Sequence, residues 1–263
     1  MKKRKVSLAL KFLTISIIIF LALLFIIGYI WKVLKTADYF KIENIDTKET
    51  ESLSLSYLKE RNIFSIDLRS ESMYLLDSCP DCSKVRLVRI LPNRIFVKFI
   101  KRKPQAFVKL YRYFAVDEEG VLFNAPAQLE ESELPVILGL ETKLFGPKPG
   151  KRYNIKEIML ALDIIRETKL NKTLKDYKIK KIDLTNFADA SFFISLPKQP
   201  ADDSRGQSFG GPESFEVKIS QDDIKDKIVI LASLIIQVKN NLANIKYIDL
   251  RFREPVIKFK DVK

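Results

Sequence analysis

Lys84 to Pro104 reads KVRLVRILPNRIFVKFIKRKP. Basic and apolar residues are interleaved along it, and the single interruption is Pro92-Asn93. In the second half Ile95, Val97 and Phe99 fall on one side and Arg94, Lys98 and Arg102 on the other, the period of a strand with one solvated face. Pro-Asn is turn chemistry, so the stretch reads as two strands of a β-hairpin. Its basic residues face water because its apolar residues face a core. The competing reading is a platform for a polyanion. A nucleic-acid surface would add exposed aromatics for stacking, and here Phe96 falls on the basic side while Phe99 shares the apolar one.

Working back from the hairpin, Tyr39 to Cys79 reads YFKIENIDTKETESLSLSYLKERNIFSIDLRSESMYLLDSC. Phe40, Ile42 and Ile45 begin a short strand. Thr50 to Glu60 has helical composition, with Leu53 and Tyr57 four apart, and SIDLRSESMYLL reads as a second helix entered through Asp67 and ended before Pro80. The order is therefore strand, helix, helix, strand, strand.

Further back, the chain opens MKKRKVSLALKFLTISIIIFLALLFIIGYIWKVLK. At about 1.5 Å rise per residue, the uncharged run Phe12 to Trp31 is long enough for a hydrocarbon layer of about 30 Å. A cleavable signal has a shorter apolar core and a small-residue site after it; this run ends in Tyr29, Ile30 and Trp31, residues of an interfacial aromatic belt. We expect an uncleaved anchor. Lys2, Lys3, Arg4, Lys5 and Lys11 hold the short head in the cytoplasm, which puts everything beyond about Thr36 outside the cytoplasmic membrane.

Beyond Pro104, RYFAVDEEGVLF reads as a hairpin turning at Asp117 to Gly120, and LPVILG as a short apolar strand. Ile155, Ile158, Met159, Leu162 and Ile165 keep helical spacing behind an Asn154 cap. Ile224, Ile228, Leu231, Ile235 and Val238 do the same behind Asp222 or Asp223. YKIKKIDL, SFFISL, SFEVKIS and KYIDLRF supply further strands. Pro-, Gly- and Ser-bearing residues 198–213 read as a flexible loop. The expected class is α+β: head 1–11, transmembrane helix 12–31, linker 32–38, a first outer unit 39–103, a β-rich unit with two helices 104–260, and a tail 261–263.

Composition narrows the function. Lys and Arg number 46 against 33 acids, a formal charge of +13 that suits any polyanion, and the chain has no histidine, the commonest general base and a favoured zinc ligand. The topology above separates the outer part from cytoplasmic nucleic acid, so none is expected as a partner. No Gly-rich phosphate loop, metal-ligand cluster or Ser/His/Asp set occurs, and no cofactor is expected. Cys79 and Cys82 stand in CPDC. Redox catalysis would place such a pair at a helix N-terminus that lowers the thiol pKa, whereas this one closes a helix and precedes a strand. A local disulfide and a pair of inert thiols both remain open.

A basic head, one anchor, a strand-helix-helix-strand-strand unit and a β-rich unit together resemble the FtsQ/DivIB family of bacterial cell-division proteins. YFKIENIDT, NIFSIDL, VRLVRILPNRIFVKFIKRKPQAF, FAVDEEGVLF, LPVILG and KYIDLRF look like family segments in the family's order, from Tyr39 to Phe252. Three features depart from it: Arg61 where relatives often carry glycine, the CPDC pair, and the insertion before SFEVKIS. The resemblance implies that 39–103 is a POTRA domain and 104–260 the family's β domain. It also implies a non-catalytic scaffold in the inner membrane at the division septum, recruiting FtsB- and FtsL-like bitopic proteins among other divisome components and helping to control septal peptidoglycan synthesis.

In YIDLRF, Ile248, Leu250 and Phe252 share one face and Tyr247, Asp249 and Arg251 the other. If this strand lies at a sheet edge, it can accept a partner segment as an added strand, with Pro255 tolerated beside it. The resemblance places Arg251 and Phe252 in the binding surface, and the candidate set is Tyr247, Asp249, Arg251, Phe252, Arg253 and Val256. Against it stands a reading of Phe252 as core and Arg251 as merely solvated. The alternative function is a membrane-anchored module binding a cell-wall polymer or anionic lipid.

Overall fold

The computed structural model describes residues 2–47, 55–125, 133–196 and 214–260. The loop expected at 198–213 and the tail 261–263 lie outside the described residues. The chain divides into two compact units, residues 1–100 and 101–263.

The first unit opens with α1 (Lys2–Thr36). Its segment Lys11–Thr36 is long and apolar enough to cross a membrane, and its apolar window holds no buried residue. The Thr14 hydroxyl donates to the Lys11 carbonyl inside the helix, so this polar group is satisfied without water. After a 3₁₀ turn at Asp38–Phe40 come β1 (Asn44–Thr47), a second 3₁₀ turn at Ser56–Leu58, α2 (Leu68–Asp77), β2 (Cys82–Ile90) and β3 (Arg94–Lys101). The helix expected over Thr50–Glu60 is a 3₁₀ turn in its described part; residues 48–54 lie outside. The sheet order is β1-β3-β2, with β1 parallel to β3.

Asp67 caps α2 by accepting the Arg69 N–H at 3.0 Å, which leaves the apolar face of the helix to pack on β2. Ile95, Val97 and Phe99 are buried with Ile42, Leu58, Ile63, Ile66 and Leu75. Each such side chain contributes about 1.5–3 kcal/mol, so the alternation in the hairpin fixes which face carries the bases.

The second unit holds β4 (Ala106–Lys109), β5 (Tyr113–Val116), β6 (Leu122–Asn124), β7 (Val136–Leu138), α3 (Lys156–Leu170), β8 (Lys178–Asp183), β9 (Ala190–Ser195), β10 (Ser214–Ile219), α4 (Ile224–Gln237), β11 (Ile245–Asp249) and β12 (Val256–Phe259). All nine strands join one sheet, ordered β12-β11-β10-β9-β8-β7-β4-β5-β6. Ile158, Ile165, Ile228, Leu231 and Ile235 of the two helices share its main core with Phe114, Ile137, Phe192, Phe215 and Ile248. A smaller core of Phe107, Ala115 and Phe123 is packed by Leu134 and Val136.

The turn from β5 to β6 is built on Asp117, whose Oδ1 accepts the N–H of Glu119 and of Val121 while Oδ2 pairs with Arg102 at 2.6 Å. Where β7 meets the residues after β8, Gly139 has φ 85°, and a Cβ there would lie 2.2 Å from the Thr185 nitrogen. Only glycine fits. One expected cap differs, the N-cap of α3 being Ile155 rather than Asn154; Asp223 is the N-cap residue of α4 as expected, with φ 52° and no side-chain cap bond.

Candidate functional site

KYIDLRF becomes a strand only through Asp249, and this strand is not the sheet edge. β11 lies between β10, to which it is parallel, and β12, to which it is antiparallel. The edge is β12, formed by VIKF after Pro255. Ile248 and Leu250 are buried as their alternation requires, yet Phe252 does not follow them.

The reason is local chemistry at Asp249. Its Oδ1 accepts the Arg251 backbone N–H at 3.0 Å, which bends the chain. The guanidinium of Arg251 then folds back on the same carboxylate, Nε to Oδ1 at 2.9 Å and Nη2 to Oδ2 at 2.6 Å. Its third nitrogen, Nη1, donates to Asp189. With the strand broken, Phe252 is 61% exposed, and Arg251 lies 5.6 Å from its ring centroid. Phe252 is therefore not core, and Arg251 is not merely solvated.

Asp189 ends a 3₁₀ turn between β8 and β9, where Asn186 caps the turn and donates from Nδ2 to Asp189 Oδ2 at 2.7 Å. The hydrogen bonds from Arg251 hold the Asp249 carboxyl below its ordinary range and raise the guanidinium in turn. Asp249 is nearly buried, and its charge is matched within the site. Lys218 on β10 also favours the ionised carboxylate, and it sits 4.7 Å from the Tyr247 ring centroid.

All six sequence candidates thus gather at one end of the nine-stranded sheet: Tyr247 and Asp249 on β11, Arg251, Phe252 and Arg253 in the bend, and Val256 on β12, paired with Asp249. Val256 and Phe259 are half exposed and Ile257 packs on the core. Sequence reasoning missed Ile257, Lys258 and Phe259, although a run of β-branched and aromatic residues after a proline was the available signal. It also missed Asp189 and Lys218, for which no local pattern exists.

The two ends of the sheet differ. At β6, Leu122 donates its N–H to the Lys151 carbonyl and accepts from Gly150, and Val121 bridges to Arg152, so the chain covers its own edge. Among the described residues β12 has β11 as its one strand neighbour. The Lys260 N–H turns inward to Asn244 at 2.7 Å. Alternation then sends the N–H of Ile257 and Phe259 to the open side.

In the first unit Cys79 and Cys82 form a disulfide between the end of α2 and the start of β2. Both are buried in the core. The Cys79 N–H bonds back to the Leu76 carbonyl, so the pair follows the C-terminal end of α2 and does not open that helix.

No family model matches the chain. Curated relatives do. The cell division protein FtsQ of Geotalea daltonii is 23% identical over 239 residues, 88% of this chain and 80% of that protein. FtsQ of Syntrophotalea carbinolica is 23% identical over 233 residues, covering 86% and 76%. FtsQ of Koribacter versatilis is 27% identical over 203 residues, covering 69% and 58%. Matches to proteins of one name over most of the chain, together with a sheet-rich α+β chain behind one apolar helix, support an FtsQ-family cell-division protein.

Proposed function

We propose that the protein is a non-catalytic scaffold of the division machinery, anchored in the cytoplasmic membrane by α1 with its N-terminus inside. Its first outer unit acts as a POTRA domain and its second as the recruiting β domain. It gathers FtsB- and FtsL-like single-span proteins at the septum and thereby helps control septal peptidoglycan synthesis. Recruitment works by strand addition: a partner segment pairs with β12 and covers Phe252, Val256 and Phe259.

The observation that carries this reading is an edge strand that, among the described residues, is left open beside three exposed apolar side chains, while the opposite edge is covered by the chain itself. Backbone pairing supplies affinity, and the side chains around the bend supply selectivity. Phe252 stands outside the core, so Phe252→Asp leaves the fold intact. Titration of the full-length protein with an FtsB–FtsL-like pair should show affinity falling by about 30-fold or more, the loss of one aromatic hot spot. Unchanged affinity in the folded variant removes this bend from the interface.

A further inference from the structure

The outer face of the β2–β3 hairpin carries a second surface, unrelated to the β12 edge. From Cys82 to Ile100 the chain has no acidic residue and five basic ones, Lys84, Arg86, Arg89, Arg94 and Lys98. Val85 and Leu87 pack on the core of the first unit, so Arg86, Val88 and Ile90 take the opposite face of β2. Arg94, Phe96 and Lys98 take the same face of β3, because Ile95 and Val97 point into the core. Val88, Ile90 and Leu91 are 50%, 42% and 59% exposed. Cations and bare aliphatic groups mixed on one face are the composition of a surface that lies in a lipid headgroup layer.

The chain itself brings that surface to the end of α1. The ring of Trp31 meets Phe64 edge-on at 6.4 Å, and Phe64 packs on Phe40 at 5.0 Å. Asn62 Nδ2 donates to the Leu34 carbonyl at 2.9 Å. Arg89, near the far end of β2, donates from Nε to the Ile63 carbonyl at 2.8 Å and from Nη2 to that of Ile66. At the hairpin tip, Asn93 accepts the Glu43 N–H at 3.0 Å and donates to the Glu43 carboxylate at 2.7 Å. Glu43 follows Thr36, the last residue of α1, by seven positions, a reach of at most about 25 Å. Thr36 itself is about 8 Å along the helix from Trp31.

We infer that the hairpin tip docks on the anionic outer surface of the bilayer that α1 crosses. Ile90 and Leu91 enter the headgroup boundary, and Arg86 and Arg94 meet lipid phosphates. Docking fixes the tilt of the first unit against the membrane. It rests on α1 spanning the bilayer and is independent of strand addition at β12.

The test is amide hydrogen exchange of the full-length protein in nanodiscs of phosphatidylcholine alone and of phosphatidylcholine mixed with phosphatidylglycerol. Peptides spanning Val88–Arg94 should exchange roughly fivefold or more slowly in the anionic discs, the factor that one basic residue contributes near such a surface. The slowing should vanish in Arg86→Glu/Arg94→Glu and in Leu91→Asp, while peptides over Ile95–Phe99 keep wild-type protection and so report an intact fold. Equal exchange in the two disc types, or slowing that survives both variants, overturns the proposal.

Discussion

Arg251 joins two carboxylates distant in sequence, Asp189 and Asp249, and its placement decides where Phe252 goes. Asp249 titrates below the ordinary carboxylate range because Arg251 hydrogen-bonds its charged form. A group whose pKa is depressed by folding stabilises the protein above its unfolded value, and that contribution is lost as pH falls through the folded value. Asp249→Asn should therefore cost about 2 kcal/mol at neutral pH, the value of hydrogen bonds to a charged group. The difference from wild type should begin to shrink below about pH 4, where the unfolded carboxyl takes up its proton, and should vanish as pH falls through the lower folded value. Thermal unfolding of both proteins across that range measures it. A constant difference would mean that the ion pair does not hold the bend. Nothing near Phe252 in the sequence announces this geometry. Strand alternation alone places Phe252 in the core, and the partner that breaks the pattern, Asp189, is brought in by the fold.

At the level of elements, periodicity was a reliable guide wherever burial enforced it. The face of the β2–β3 hairpin and the stripes of α3 and α4 follow directly from it, because one misplaced apolar residue there would lose its burial energy. Boundaries set by polar side chains were less legible: Asn154 does not cap α3, and β11 stops at Asp249. β12 is short and follows a proline, so its pairing with β11 became visible only once the sheet was assembled. Its outward amides give a direct prediction. Phe259→Pro removes an N–H from the open side without breaking an inward bond, a substitution an edge tolerates. Partner affinity should fall about tenfold further for Phe259→Pro than for Phe259→Ala, the worth of roughly one good hydrogen bond. Equal affinities for the two variants in a binding titration would argue against pairing through the backbone of β12.

Across the whole molecule, a formal charge of +13 and an apolar anchor leave two kinds of attraction to separate. A polyanion held by the basic surface is released by salt, because its affinity comes from ion pairing and counterion release. A strand added at β12 beside Phe252 is held by backbone hydrogen bonds and buried apolar area, and it tolerates salt. The anchor and the strand-rich α+β character were legible in the sequence, since both rest on runs of apolar residues. Which strand closes the sheet was not, because strand order depends on contacts between distant segments. The decisive measurement is mass spectrometry of what co-purifies with the full-length membrane protein, beside its Phe252→Asp variant, at low and high salt. Small single-span proteins retained at high salt and lost in the variant are the predicted result. Partners that stay with the variant, or that salt strips from both proteins, would contradict recruitment at the β12 edge.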